Sequence, residues 1–210
     1  MSILYFPGGG FGFWYLLGIY LKKREQQNEN IKYQLVGCSA GSLICLVSLL
    51  KEEYINFYFI FEIYHQAIIN QKGIVNTYCL LDNLFILIED YLDYEKLSLN
   101  LQNLAIHITE VNFICGCLPH FRKKIIQPEN LSHLKKLCLS SCQIPFFGRS
   151  PDHCCFLSLD NKLVLDGMFS ENQLIEDEYH QLFDASQYSS LCFPSQIQIQ
   201  EMFFQGYNSN

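Results

Sequence analysis

A chain of 210 residues that is 50% hydrophobic and 15% aromatic can bury the core of one domain, which excludes a disordered or low-complexity protein. Only 17% of its residues are charged. The net charge of −7, with basic residues in short scattered runs (Lys22-Lys23-Arg24, Arg122-Lys123-Lys124, Lys135-Lys136), argues against nucleic acid as a partner. It also argues against Coulombic attraction to anionic lipid, so any lipid contact is expected to be apolar.

In chain order, Ser2 to Phe6 is predicted as a short apolar strand and Pro7-Gly8-Gly9-Gly10 as the tight loop after it. Phe13 to Gln26 reads as a helix with a hydrophobic first half and a charged end. Ile31 to Val36 reads as a second strand, from which Gly37-Cys38-Ser39-Ala40-Gly41 turns directly into a helix reaching about Lys51. Glu52 to Leu92 reads as mostly helical, with breaks around Lys72-Gly73 and Asn76. Asn103 to Thr109 and Asn112 to Leu118 read as two strands, and Glu129 to Ser141 as a helix announced by Pro128. His153 to Leu159 and Lys162 to Leu165 read as a hairpin around Asp160-Asn161. Beyond about Glu178 the pattern weakens, and the Gln-rich stretch Ser195 to Asn210 is expected to be a poorly ordered tail. Alternating strands and helices imply an α/β layered architecture with a mostly parallel central sheet. It is expected as one domain over residues 1–178, followed by a C-terminal extension over 179–210.

No apolar run reaches the roughly 18 residues of a membrane span. Phe11 to Leu21 ends at Lys22-Lys23-Arg24, and Tyr54 to Asn70 contains Glu62 and His65. The first residues lack the charged n-region of a secretory signal. Ten cysteines without C-x-x-C spacing read as reduced thiols, so a cytoplasmic location is expected. Cys115-Gly116-Cys117 with His120 lacks a fourth metal ligand, and alternating cysteines on a strand simply share a face. No metal or other cofactor is expected.

Chemistry is concentrated in three places. Gly37-x-Ser39-x-Gly41 stands where an apolar strand meets a helix, the setting of a nucleophile elbow. Its glycines allow a sharp bend, and the helix N-terminus favours negative charge developing beside Ser39. A serine hydroxyl also needs an oxyanion site and a base. Gly8, Gly9 and Gly10 offer backbone amides at the mouth of a helix. They are not a nucleotide loop: the P-loop lysine is missing, and Phe13 fills the last position of G-x-G-x-x-G. Asp166, in Lys162-Leu-Val-Leu-Asp166-Gly167, ends an apolar strand and is the candidate base. A carboxylate near its reference pKa of about 4 is a weak base for an alcohol, so this role asks for burial.

Taken in this order, these elements resemble the patatin-like phospholipase family. That family has a glycine-rich oxyanion loop after its first strand, a G-x-S-x-G elbow, and a later aspartate followed by glycine. It uses a Ser–Asp dyad with no histidine. Gly10-Phe11-Gly12-Phe13-Trp14-Tyr15 and Gly18 are similar to its adiponutrin-type branch, while Leu139-Ser-Ser-Cys-Gln-Ile-Pro145 and the asparagine six positions after the aspartate, Asn172, resemble segments of the family. The pattern departs at Phe13, at Met168 and in lacking a basic residue in the loop. The resemblance implies a three-layer α/β/α fold and a serine lipid acyl hydrolase of phospholipase or acylglycerol lipase type. In it Ser39 is the nucleophile, Asp166 the base, Gly8, Gly9 and Gly10 the oxyanion loop, and Gly37 and Gly41 the elbow. The substrate would be a phospholipid or acylglycerol, met by peripheral contact with a membrane or lipid droplet. Two alternatives stay open: an α/β-hydrolase esterase, for which only His180 follows Asp166, and a non-catalytic lipid-binding or interaction module that kept the fold.

Overall fold

The computed structural model describes residues 2–26, 33–70, 77–114, 117–144, 157–159, 162–173, 181–183, 187 and 193–209. β1 (Ser2–Phe6), β2 (Tyr33–Cys38) and β3 (Leu104–Ile114) pair side by side in parallel, and β7 (Gln181–Leu182) adds in parallel to the outer edge of β1. β4 (Leu118–Ile126) and β6 (Lys162–Asp166) both pair antiparallel with β3, and β5 (Leu157–Leu159) pairs antiparallel with β6. The chain is a mixed α/β protein with a mostly parallel sheet.

The order β1, β2, β3 advances in one direction across the sheet. Right-handed crossovers therefore place α1 (Phe13–Gln26) and α2 (Ala40–Val47) on the same face. That face carries Leu4, Phe6, Leu35, Ile106, Ile108 and Val164. The same cluster takes in side chains of α3 (Phe57–Ile69), α4 (Thr77–Ile88), α6 (Leu131–Ser141) and α7 (Gln196–Asn208). Tyr5, Val36, Cys38 and Ala105 point to the opposite face and form a small buried cluster of their own. A fifth helix in chain order, α5 (Leu97–Leu101), leads into β3. Among the described residues no helix is long and apolar enough to cross a membrane.

Several expectations are corrected. β3 is one continuous strand where two were expected, because Glu110 pairs across to Arg122 on one side and Val164 on the other. The Lys162 ammonium lies 3.1 Å from its carboxylate, which offsets the cost of a buried acid in mid-strand. β4 was not expected, since Arg122-Lys123-Lys124 interrupts its apolar pattern. An edge strand with an exposed outer surface tolerates such charges. β2 runs on to Cys38, while α2 stops at Val47, where the chain turns off to pair Leu50 with Leu92. α6 starts at Leu131, since the Asn130 side chain accepts from the His133 amide as N-cap. The expected breaks at Lys72-Gly73 and Asn76, the strand residues 153–156 and the turn at 160–161 lie outside the described residues.

The largest correction concerns the tail. Residues 196–208 are helical, opened by a capping box in which Ser195 and Gln198 satisfy each other's amides. Ile199 and Phe203 turn inward from the Gln-rich stretch into the main core. With β7 paired to β1 as well, the described residues 181–183 and 196–208 pack into the same core. The partner of α7 is α1, whose residues Trp14 to Leu21 are all buried. A helix apolar on every side needs cover on every side, and α7 covers the side turned from the sheet. Gly18 and Gly206 permit the close crossing. A Cβ on Gly206 would stand 2.0 Å from the Tyr15 carbonyl oxygen, and one on Gly18 would stand 2.2 Å from that of Phe203. Beyond the crossing, the Tyr207 hydroxyl donates to the Glu25 carboxylate. Gly206→Val is therefore expected to lower stability by about 2–3 kcal/mol, as overpacking of backbone on backbone does. Urea denaturation checks this, and an unchanged midpoint would contradict the close crossing.

Candidate active site

The site begins at the end of β2. Ser39 has φ 48° and ψ −120°, and among the described residues it is the only one other than glycine with positive φ. A β-carbon in that conformation costs about 1–3 kcal/mol, which the surroundings must hold in place. They do so from both sides. A Cβ on Gly37 would come within 2.4 Å of the Gly41 carbonyl oxygen, and one on Gly41 within 2.1 Å of the Phe6 carbonyl oxygen. Only glycines let the first turn of α2 fold back over β2 and press against β1. The Ser39 amide donates to Ser141 Oγ (2.7 Å), which donates onward to the His107 carbonyl oxygen (2.6 Å). The Ser39 carbonyl accepts from the Ser42 amide (2.9 Å) and hydroxyl (2.6 Å). Both polar groups of the Ser39 backbone are engaged.

Sheet topology brings the carboxylate to this serine. Ile106 and His107 pair with β2 on one edge of β3 and with β4 on the other, whereas Ile108 to Val111 pair with β4 and β6. β6 therefore occupies the edge that β2 leaves, and it runs in the opposite direction. The two strands meet head-on: Cys38 stands opposite His107, and Asp166 opposite Ile108, one rung further along. One rung is about 3.3 Å, so residues 39 and 166 are forced together.

Ser39 Oγ donates to Asp166 Oδ2 at 2.7 Å. The other carboxylate oxygen accepts from the Met168 amide (2.9 Å), the Asp166 amide donates to the Gln143 carbonyl (2.9 Å), and its own carbonyl accepts from Thr109 Oγ1 (2.8 Å). Asp166 has no exposure to solvent and Ser39 only 5%. The glycine after the aspartate has a steric reason: a Cβ on Gly167 would lie 2.5 Å from the His107 carbonyl oxygen and 2.7 Å from Cys38 Sγ. Met168 contributes its backbone to the site while its side chain stays half exposed.

Phe6 is in register with Gly37, so the loop Pro7 to Gly10 leaves β1 at the level of the elbow. Gly10 has φ 54°, a left-handed conformation suited to glycine. The Gly9 and Gly10 carbonyls accept from the amides of Gly12 and Phe13, which folds the loop into the start of α1. Phe11 follows and sets its ring 6.5 Å from that of Tyr64 on α3. The aromatic stretch from Tyr54 is largely core, since Phe57, Ile60, Ile63 and Tyr64 are all buried.

Beneath the pair runs a buried hydrogen-bond chain that sequence reasoning missed. His107, with no exposure, bonds the Tyr5 hydroxyl through Nδ1 (2.7 Å) and Ser170 Oγ through Nε2 (2.9 Å). Ser170 in turn meets Thr109 Oγ1 at 2.8 Å, and Thr109 donates to the Asp166 carbonyl. The consistent proton assignment has Tyr5 donating to Nδ1 and Nε2–H donating to Ser170. Burial, with Lys123 nearby, lowers the His107 pKa to about 4, so the ring is neutral. Its imidazole engages Tyr5 and Ser170 and holds the sheet side of the site rather than serving Ser39. The available signals were slight: two polar residues, His107 and Thr109, on the face of β3 that otherwise carries Ala105, Val111 and Phe113, and a serine pair closing an amphipathic helix.

A pH dependence follows. Unfolded, His107 takes up a proton near pH 6.5; folded, it refuses one until about pH 4. Stability is therefore full above about pH 6.5 and falls between there and about pH 4, by about 3 kcal/mol in total. Urea midpoints measured across this range should show a slope that His107→Gln removes. A slope unaffected by that substitution would place the acid sensitivity elsewhere.

Neighbouring thiols do not compete as nucleophiles. Burial pushes the Cys45 thiol up to about 12 and raises Cys138, and Cys142 is raised by burial and by the charge of Asp166. Among the described residues no group of three or more His, Cys, Asp and Glu side chains could hold a metal ion. Cys117 is exposed at the start of the β4 arm, and His180 lies outside the described residues.

No protein-family model matches the chain, and neither does any curated protein. The class is therefore defined by geometry alone: an α/β protein with a strained serine bonded directly to a buried strand-end carboxylate.

Proposed function

We propose that the chain is a serine lipid acyl hydrolase of phospholipase or acylglycerol lipase type, working through a Ser39–Asp166 dyad in a patatin-like fold. The observation that carries the reading is the 2.7 Å hydrogen bond from the Ser39 hydroxyl to Asp166, made at a backbone corner strained to present that hydroxyl. Asp166 accepts the Ser39 proton as the oxygen attacks an ester carbonyl. The Gly9 and Gly10 amides, with Gly8 beside them, hold the tetrahedral oxyanion. Collapse releases the alcohol with the proton returned from Asp166 and leaves acyl-Ser39. Water, deprotonated by Asp166, then frees the acid. The direct Ser–Asp bond supports a dyad over the histidine-bridged triad of an α/β-hydrolase, and both nitrogens of His107 are engaged elsewhere. The three-layer arrangement belongs to the same proposal: a second helical layer would cover the face of Tyr5, Val36, Cys38 and Ala105. So does a cytoplasmic location with peripheral contact at a membrane or lipid droplet.

The second reading, a non-catalytic lipid-binding module, is favoured by the near-complete burial of both dyad residues. A fluorophosphonate probe separates the two. Labelling of Ser39 in the folded chain, lost in Ser39→Ala, supports the hydrolase; a folded chain that stays unlabelled leaves the binding module.

A further inference from the structure

One residue, His107, reaches every part of the site. Its ring joins Tyr5, one residue before the end of the strand that feeds the glycine loop, to Ser170 in the turn after Asp166. Ser170 stands at the kink between two short 3₁₀ turns within Gly167–Gln173, with φ −128° and ψ 16°. The peptide carbonyl of His107 accepts from Ser141 Oγ, which holds the Ser39 amide. Tyr5, His107, Thr109 and Ser170 have no exposure, so these bonds are sheltered from bulk water.

The far end of this chain fixes the direction of every proton in it. Thr109 Oγ1 lies 2.8 Å from the Asp166 carbonyl oxygen and 3.3 Å from that of Gly167. A carbonyl can only accept, so the Thr109 proton points to them. Ser170 Oγ is 2.8 Å from Thr109 Oγ1 and must supply the proton between the two. Aimed instead at the Gly167 carbonyl, 3.3 Å away, that proton would leave two bare oxygens in contact. Ser170 can then only accept from His107 at 2.9 Å, which puts a hydrogen on Nε2 and leaves Nδ1 to accept from Tyr5. Tyr5, His107, Ser170 and Thr109 thus donate in one direction, each strengthening the next, and the series ends on the peptide of the base. We propose that His107 is a positioning residue for the dyad: through Ser170 and Thr109, its Nε2–H fixes the Asp166 carbonyl and so holds the carboxylate at hydrogen-bond distance from Ser39. This role rests on the lipid hydrolase reading for its effect on turnover, but the placing of Asp166 can be read without an ester.

The test compares His107→Gln, His107→Asn, Ser170→Ala and the His107→Asn, Ser170→Ala double variant in the full chain. Glutamine carries an amide N–H out to the place of Nε2 and keeps the donor to Ser170. Asparagine reaches only the place of Nδ1, so it can accept from Tyr5 but leaves Ser170 without its donor. Each forfeits one bond of the ring, so thermal melts should fall in both, whereas turnover should separate them. On a short-chain ester His107→Gln should keep kcat within about threefold. His107→Asn and Ser170→Ala should each lower kcat about tenfold or more with KM unchanged, since a small misplacement of a base is costly. The double variant should lose no more than the worse single one, because both cut the same arm. The 13C resonance of the Asp166 carboxylate should move in His107→Asn and Ser170→Ala and stay in place in His107→Gln. A parent that turns over no ester while that resonance behaves as expected would sink the hydrolase reading and leave the positioning of Asp166 standing. The role of His107 is overturned if folded Gln and Asn variants turn over alike, if the losses of the double variant multiply, if the Asp166 resonance stays in place throughout, or if nitrogen NMR puts the ring proton on Nδ1.

Discussion

Ser39→Ala and Asp166→Asn are each expected to reduce ester turnover by about 10³-fold or more while the chain stays folded. Alanine keeps the strained backbone, since any β-carbon bears the same cost at φ 48°, and removes the hydroxyl that attacks. Asparagine keeps the shape of the aspartate but cannot accept both of its hydrogen bonds. One of its two groups is a donor, and it must face either Ser39 Oγ or the Met168 amide. The proton acceptor disappears with the charge. Ser39→Gly separates catalysis from stability further: it should abolish turnover and raise stability by about 1 kcal/mol, since glycine adopts this conformation freely. Turnover of a short-chain ester, with thermal melts alongside, measures all three. Substantial activity in either dyad variant would remove the proposed mechanism.

Gly41→Ala should be the most damaging single methyl group that can be added near the elbow. Its Cβ would lie 2.1 Å from the Phe6 carbonyl oxygen and 2.6 Å from the carbonyl carbon. Neither can yield as a flexible side chain would, because both are backbone of β1, a strand paired on both edges. Relief requires α2 to lift away from β1, which drags Ser39 out of line with Asp166 and disturbs the loop from Pro7 to Gly10. We expect a loss of about 3 kcal/mol or more, at the upper end for overpacking. Activity should be lost even in molecules that still fold. Chemical denaturation combined with fluorophosphonate labelling reads both effects, and a variant of parental stability and labelling would mean that α2 does not cross β1 at this distance.

The opening third of the chain shows how far local pattern reaches. Ser2 to Phe6 and Phe13 to Gln26 are found where the apolar run and its charged ending placed them, because a short run of apolar residues closed by glycines and a longer one closed by lysines are local signals. The elbow glycines likewise state a local need, close backbone approach at a strand-to-helix turn. Pattern failed where the deciding contact was distant. Arg122-Lys123-Lys124 conceals an edge strand whose partner is the stretch of β3 from Ile106 to Ile114, and the glutamines of α7 conceal Ile199 and Phe203, whose burial depends on α1. In hindsight α1 carried a warning, since a helix apolar on every side must be covered twice.

What the residues settled alone was the list of reactive groups and their local settings: a serine at a bent corner, an aspartate closing an apolar strand, and a glycine loop leading into a helix. The meeting of Ser39 with Asp166 was decided only in three dimensions, because 127 positions separate them and no local periodicity records which edge of β3 receives β6. The supports of that meeting, Ser141 from α6 and Tyr5, His107, Thr109 and Ser170 below, belong to the same tertiary level. Hydrogen-bond partners of buried polar groups are chosen by which strands become neighbours, and pairing over such distances leaves no trace in the spacing of residues along the chain.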